Sequence, residues 1–540
     1  MKVSGTVVDI LNRKLIKAEV EIRDKKIVGI VQQDTVADQF LLPGFIDAHV
    51  HVESSMLVPS EFARMAVVHG TVATISDPHE IGNVLGLDGV EFMIDNGRQV
   101  PFKFYFGAPS CVPATPFETA GASITKENIE SLFQREEIKY LAEMMNWPGV
   151  INQDPDVMAK IELAKRYNKQ VDGHAPGLRG HQAKQYASAG ITTDHECFSA
   201  AEALDKLNVG MKILVREGSA AKNFEALIGL MDDHYKSMMF CSDDKHPDSL
   251  EEGHINQLVV RALRKGIDLF KILQAACVNP VDHYKLDVGL LRVGDPADFI
   301  VIEDLKSFKV KQTFINGELV AEKGISKIPS VPTRVLNKFA VGAKSLSDFR
   351  LPSASSRVRV IEALDGELIT RELIANAKLS GDNLVSNVEN DVLKMVVVNR
   401  YENAPVAVSF VRNFGLKRGA LASSVAHDSH NIIAVGVTDD LLCRAVNSII
   451  ATKGGVCAVD ANEECLVPLP VAGLMSDRDG YEIAAAYKRA DAMSRALGSK
   501  LKSPFMTLSF MALLVIPSIK LSDKGLFDGD AFTFVDPLIK

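Results

Sequence analysis

The chain has 540 residues, 47% of them hydrophobic and 24% charged, with a formal net charge of -9 and a pI near 5.9. That is ordinary globular composition, enough for three or four domains or one large domain with companions. It excludes a general nucleic-acid binder, which needs a basic face, and no basic cluster or polybasic tail is present. The most apolar stretch, residues 505–519, is too short to span a membrane and carries Pro517, so it reads as a buried core element. The segment Met1-Lys2-Val3-Ser4-Gly5 opens no apolar signal sequence. Seven scattered cysteines with no CxxC pair read as reduced thiols. Together these predict a cytoplasmic protein with no nucleic-acid or membrane partner.

In chain order, residues 1–42 read as short strands. Val3, Gly5 and Val7 alternate with polar positions, and Val20-Glu21-Ile22 and Ile27 to Val31 suggest further strands around a turn at Lys25-Lys26. Leu41-Leu42-Pro43-Gly44 breaks that pattern. From Phe45 to about residue 285, short apolar runs alternate with helical patterns such as Ser60 to Val68, Asp156 to Tyr167 and Ile255 to Lys265. Alternation over this length predicts a parallel (β/α)8 barrel. A doubly wound open sheet competes, but no GxGxxG follows the first strand. Strands then return at Phe299 to Ile302 and in a hairpin whose Asn316-Gly317 turn is a strong local signal. This segment is expected to pair with residues 1–42 in one small β-sandwich domain built from both flanks of the barrel. A linker rich in Pro, Ser and Lys follows, then a third unit of α/β or α+β type. It has strands at Lys394 to Val398 and Ile432 to Val437 and helices at Asp439 to Thr452 and Gly480 to Ala496. The expected domain limits are 1–42 plus 285–345, 43–284, and 350–540.

Active sites of barrels sit where the strands end on the C-terminal face. The first strand, Phe45-Ile46-Asp47-Ala48-His49-Val50-His51, places His49 and His51 on one face, about 6–7 Å apart along the strand. Two imidazoles so placed can clamp one metal ion. Later strand-like runs end in Glu143, His174, His195 and the doublet Asp243-Asp244. Each alone has an ordinary explanation, as a loop histidine, a solvent carboxylate or a helix cap. Jointly they offer nitrogen and oxygen ligands for two divalent metals, with Glu143 able to bridge them.

These residues resemble the amidohydrolase superfamily: Leu42-Pro43-Gly44-Phe45-Ile46-Asp47-Ala48-His49-Val50-His51 is similar to its opening strand. Nearly end to end, the chain further resembles the adenine deaminases of bacterial and archaeal type. The segments that carry this are His51-Val52-Glu53-Ser54-Ser55-Met56, Asp77-Pro78-His79-Glu80-Ile81-Gly82-Asn83, Ala142-Glu143-Met144-Met145-Asn146, Cys241-Ser242-Asp243-Asp244-Lys245-His246-Pro247 and Ser424-Val425-Ala426-His427-Asp428-Ser429-His430-Asn431. The resemblance implies two divalent ions, manganese or iron(II), while spacing alone equally admits zinc. It implies His49, His51 and Asp243 on one ion, His174 and His195 on the other, and Glu143 bridging where many relatives carry a carboxylated lysine. The implied reaction is hydrolytic deamination of adenine to hypoxanthine and ammonia. Asp243 would move the proton of the attacking water, with Asp244 as the alternative actor. A homo-oligomer, dimer or higher, is expected.

Something must also protonate N1 of the purine or polarise the ring, and Glu53, Glu80 and Glu118 are candidates. Asp77, His79, Ser110 and Arg179, with His181, lie on loops that could shape the pocket. His427-Asp428-Ser429-His430 looks like a Ser/His/Asp set, but triads assemble in space, so adjacency is weak. It reads as a loop that covers the barrel mouth or supports a subunit contact. Three alternatives are weaker. A cyclic-amide hydrolase usually has a lysine where Glu143 stands. A silent scaffold would have lost ligands that this chain keeps. A deaminase of flipped nucleic-acid bases would carry HxE…PCxxC.

Overall fold

The computed structural model describes residues 1–539. Eight strands run Phe45–Val50, Thr71–Ser76, Lys103–Ala108, Ile138–Met144, Gln170–Gly173, Thr193–Asp194, Lys212–Arg216 and Met238–Cys241. The first five pair in sequence order, as do the last three, and every pairing is parallel. Their side chains are almost all buried, the mark of parallel strands covered by helices on the outside and packed within. Two seams close the ring. At one, Thr192 N donates to Val171 O at 2.9 Å. At the other, Asp243 N donates to His49 O at 2.9 Å and His51 N to Asp243 O at 3.3 Å. The buried carboxylate of Asp47 reinforces this second seam by accepting from Ser242 N at 2.9 Å and meeting His254 Nε2 at 2.7 Å. The strand that carries the HxH pair is thereby fastened to the strand that ends in the Asp doublet.

The two flanks of the barrel share one eight-stranded sheet. Phe40–Pro43 pairs parallel with Lys2–Asp9 on one side and antiparallel with Phe299–Ile302 on the other. Val20, Ile27, Leu41, Phe299 and Phe314 form a core common to both halves. The Asn316-Gly317 turn has φ of 50° and 75°, as a two-residue hairpin requires. The first turn falls at Asp24-Lys25, one residue ahead of its expected place, again with positive φ at both positions.

A second eight-stranded sheet spans residues 357–468 and carries the expected helices Asp439–Thr452 and Gly480–Ala496. The apolar stretch near residue 510 is a buried helix, Pro504–Phe510, followed by a turn into the strand Ile519–Ser522. The helix Gly480–Ala496 docks on the barrel helix Pro59–Ala66. There Gly480 N donates to Glu61 Oε2 at 2.9 Å, and Arg64 pairs with Asp479 at 2.7 Å. All seven cysteines are free. Among the described residues no helix is long and apolar enough to cross a membrane.

Two outcomes follow from packing. A Cβ added at Gly44 would lie 2.3 Å from a methyl of Val72, between the small sheet and the barrel. Gly44→Ala should therefore cost about 1–3 kcal/mol, read as an earlier denaturation midpoint, and a midpoint at or above wild type contradicts the packing. His246 is buried against Tyr487 with ring centroids 4.7 Å apart, and burial pushes its pKa down to about 3. Unfolded histidine titrates near 6.5. Below that pH the unfolded chain binds a proton that the folded chain refuses, so stability falls as pH drops from 6.5 toward 3. His246→Phe should shrink the loss of unfolding free energy between pH 7.5 and 5.0, and an unchanged loss contradicts this.

Candidate metal centre and active site

Five imidazoles converge on one carboxylate at the C-terminal end of the barrel. Glu143 Oε1 faces His51 Nε2 at 3.6 Å and His79 Nδ1 at 3.5 Å. Its Oε2 faces His174 Nδ1 at 3.0 Å, His195 Nε2 at 3.1 Å and His49 Nε2 at 3.9 Å. The Nε2 atoms of His49 and His51 are 3.2 Å apart, and both face Asp243 Oδ1, at 3.5 and 3.1 Å. All of these side chains are buried. The backbone of Glu143 is pinned on both sides: its N donates to Asp77 Oδ2 at 3.2 Å, and its carbonyl accepts from Ser110 Oγ at 2.6 Å.

The donor set fits divalent cations. Ligands 2.0–2.2 Å from a tetrahedral or octahedral ion lie about 3–3.6 Å from one another, and every separation above except that of His49 from Glu143 falls in this range. His195 Nε2 is 3.1 Å from Glu143 yet makes no hydrogen bond, and the buried His174 Nε2 and His49 Nδ1 also lack partners. Burial opposes ionisation of Glu143, but His174 and His195 beside it hold its carboxyl well below the usual range. Burial likewise opposes ionisation of Asp243, and the Arg216 guanidinium and its histidine neighbours win again. The site is thus a buried cup in which each of five histidines turns one ring nitrogen toward the Glu143 carboxylate.

The Asp doublet divides by direction. Asp243 sits at φ 55°, a left-handed conformation that Asp tolerates better than most residues, because the seam bonds to His49 and His51 fix its backbone. Its Oδ2 accepts from Arg216 Nη1 at 2.7 Å, leaving Oδ1 toward the histidines. Asp244 turns the other way. Its Oδ1 accepts from Ser54 Oγ at 2.5 Å and lies 3.8 Å from His427 Nε2. Arg216 also binds both oxygens of Glu196, which in turn stands 3.4 Å from His195 and 3.6 Å from His174. Neither Arg216 nor Glu196 was expected here. The available signals were a charge ending an apolar strand and a carboxylate directly after a strand-end histidine.

Of the residues expected to shape the pocket or donate to the ring, His79 and Glu80 line the central cavity. Asp77 and Ser110 sit behind Glu143 and orient it. Glu53 accepts from Ile81 N at 3.2 Å, and burial raises its pKa to about 7. Glu118 is buried beside Asp428 and Ser429, and burial raises its pKa to about 8. Arg179 does not reach the pocket. It is exposed and pairs with Asp205 at 2.8 Å, because it stands just before the helix Gly180–Ser188, opposite an acidic residue of the next helix.

The C-terminal unit supplies the rest of the cavity wall. His427 and Asp428, on the segment between strands Ala420–Ser423 and Ile432–Gly436, line it together with Leu368, Phe510 and Leu513. The 427–430 segment therefore covers the barrel mouth. The buried amine of Lys520 ties two of these walls together by donating to the carbonyls of Leu368 at 2.5 Å and Phe510 at 2.9 Å. Glu80 joins the two units. Its Oε1 lies 2.5 Å from His427 Nδ1 and 3.5 Å from His79 Nε2, and its Oε2 accepts from His430.

Comparison with known proteins agrees with this architecture. The profile of the amidohydrolase family matches residues 40–320, and that of the adenine deaminase C-terminal domain matches residues 367–533. The chain is 57% identical to an adenine deaminase of Sulfurovum sp. (strain NBC37-1) and 56% identical to one of Salinibacter ruber, each over 99% of both chains. It is 50% identical to an adenine deaminase of Methanosarcina acetivorans, again over 99% of both. Similarity of this depth, running through the barrel cluster and the segment that covers it, means that the chain belongs to the adenine deaminase family of amidohydrolases.

Proposed function

We propose that the protein hydrolyses adenine to hypoxanthine and ammonia. The observation that carries this reading is Glu143, a buried carboxylate that meets imidazoles on both oxygens in a cavity closed by the C-terminal unit. In this reading His49, His51 and Asp243 hold one divalent ion, His174 and His195 hold a second, and Glu143 spans the two. Manganese or iron(II) suits the mixed imidazole and carboxylate set, as does zinc. Such ions, when bound, lower the pKa of water to near neutrality.

The remaining work falls to the chain. Asp243, with Oδ2 held by Arg216, keeps Oδ1 free of that bond to accept the proton of the attacking water and pass it to the departing amine. Asp244, bonded to Ser54 and 3.8 Å from His427 Nε2, lines the same cavity. Leu368, Phe510 and Leu513 limit the water that reaches the site. We assign residues 1–42 plus 285–345, 43–284 and 350–540 to three domains, supported by the sheet shared by both flanks of the barrel and the separate C-terminal sheet.

Protein loaded with manganese or iron(II) should release ammonia and hypoxanthine from adenine in equal amounts, and no turnover by metal-replete protein overturns the reading. Glu143→Ala should lower metal content by elemental analysis and abolish measurable activity. A variant that keeps two ions and full turnover removes the bridging assignment. Asp243→Asn should lower kcat by about 10²–10⁴-fold, the usual contribution of a general base. A kcat within a few-fold of wild type assigns the proton transfer elsewhere.

A further inference from the structure

Addition of water to C6 of adenine requires a donor on the ring nitrogen that receives the displaced electron pair. Of the acids expected for this role, Glu53 and Glu118 lie off the cavity lining and Glu80 is engaged by three histidines. His427 is placed differently. Its Nδ1 is 2.5 Å from Glu80 Oε1, while its Nε2 is buried, has no hydrogen-bond partner and belongs to the wall of the cavity that holds Glu143 and Asp243. The ring is fixed from behind. Its backbone N donates to Ser509 Oγ at 3.3 Å, and Phe510 packs on it at a centroid distance of 5.5 Å.

We propose that His427, contributed by the C-terminal unit, is the catalytic donor to N1 of adenine. This rests on the adenine reading above. Glu80 acts as its positioning residue. A carboxylate at Nδ1 fixes the ring orientation and leaves Nε2–H as the donor that faces substrate.

The electrostatics agree. Burial works against a charged imidazole, but Glu80 first, then Asp244 and Asp428, raise the pKa of His427 to about 9. Its neighbour His430 goes the other way: burial outweighs Glu80 and lowers its pKa to about 4. His430 Nδ1 accepts from Ala426 N at 3.3 Å, so it stays neutral and donates through Nε2 to Glu80. One carboxylate thus holds two histidines in different protonation states, and only the charged one faces the cavity.

The balance closes. As the oxygen of water bonds to C6, the C6=N1 π pair moves to N1, which takes the proton of His427 Nε2, and the water proton goes to Asp243. The C6–NH2 group then takes the proton from Asp243 and leaves as ammonia with its bonding pair. The remaining C6–OH proton returns to His427 as the carbonyl forms. N1 keeps its hydrogen, and the product is hypoxanthine.

The test uses full-length, metal-loaded protein. His427→Ala should keep the wild-type metal content and melting temperature and lose about 10²–10⁴-fold in kcat on adenine. Added imidazole should restore at least tenfold of that loss, a readout that a structural role would not move. His427→Gln covers the case in which the alanine variant does not fold. It fills the site and can donate a hydrogen bond but not a proton, so KM should stay within a few-fold while kcat falls at least a hundredfold. Either folded variant with kcat within threefold of wild type overturns the proposal, as does a loss of activity that tracks loss of metal and ignores imidazole. Wild-type turnover in the same assay separates the two claims. An inactive wild type counts against the adenine reading, whereas an active wild type with active variants counts against His427.

Discussion

The site is organised by one buried carboxylate with imidazoles on both sides. Glu143 is buried, and its two oxygens face five histidines. An arrangement of this kind is stable only if every charge has a counter-charge within a few ångströms. The surrounding structure supplies that condition in layers. Asp77 and Ser110 hold the Glu143 backbone, Arg216 offsets Asp243 and Glu196, and the barrel seam at His49 and His51 fixes where Asp243 can point. Removing any member leaves a buried group unpaired, which costs more than the pair itself contributes.

Glu80 extends the same logic across two structural units. It belongs to the barrel, but two of its three histidine partners, His427 and His430, come from residues more than 340 positions later. The interface there is polar and buried, so its geometry is specified by hydrogen-bond direction as well as by packing. Lys520 does similar work by binding two backbone carbonyls of the cavity wall. The C-terminal unit is therefore part of the catalytic chamber rather than an appendage to it.

Much of this was legible in the sequence, for reasons that can be named. Barrel strands announce themselves as fully apolar runs, and a polar residue at their ends has few uses other than chemistry. His49, His51, Glu143, His174, His195 and Asp243 could be read in that way. Asn316-Gly317 marked its hairpin because few other pairs accept two positive φ values. The Asp243-Asp244 doublet stayed ambiguous because the direction of each carboxylate depends on a seam bond between strands almost 200 residues apart. Arg216 and Glu196 escaped notice since their pairing is set only when neighbouring strands align. Arg179 misled because a charged residue on an active-site loop can turn outward when a helix partner offers an exposed carboxylate. The 427–430 segment was visible as unusual, but its histidines acquire meaning only from Glu80, which no local pattern connects to them.

The shared sheet has a consequence for how the molecule is made. Phe40–Pro43 is hydrogen-bonded to Lys2–Asp9 on one edge and to Phe299–Ile302 on the other. During synthesis at ~5–20 residues per second, the second edge waits tens of seconds for its partner, the time needed to make the whole barrel. Through that interval a strand edge with bare backbone donors and acceptors, an invitation to pair with another chain, stands open beside the ribosome. The earliest strands of the polypeptide thus gain their last partner only after the whole barrel has been synthesised.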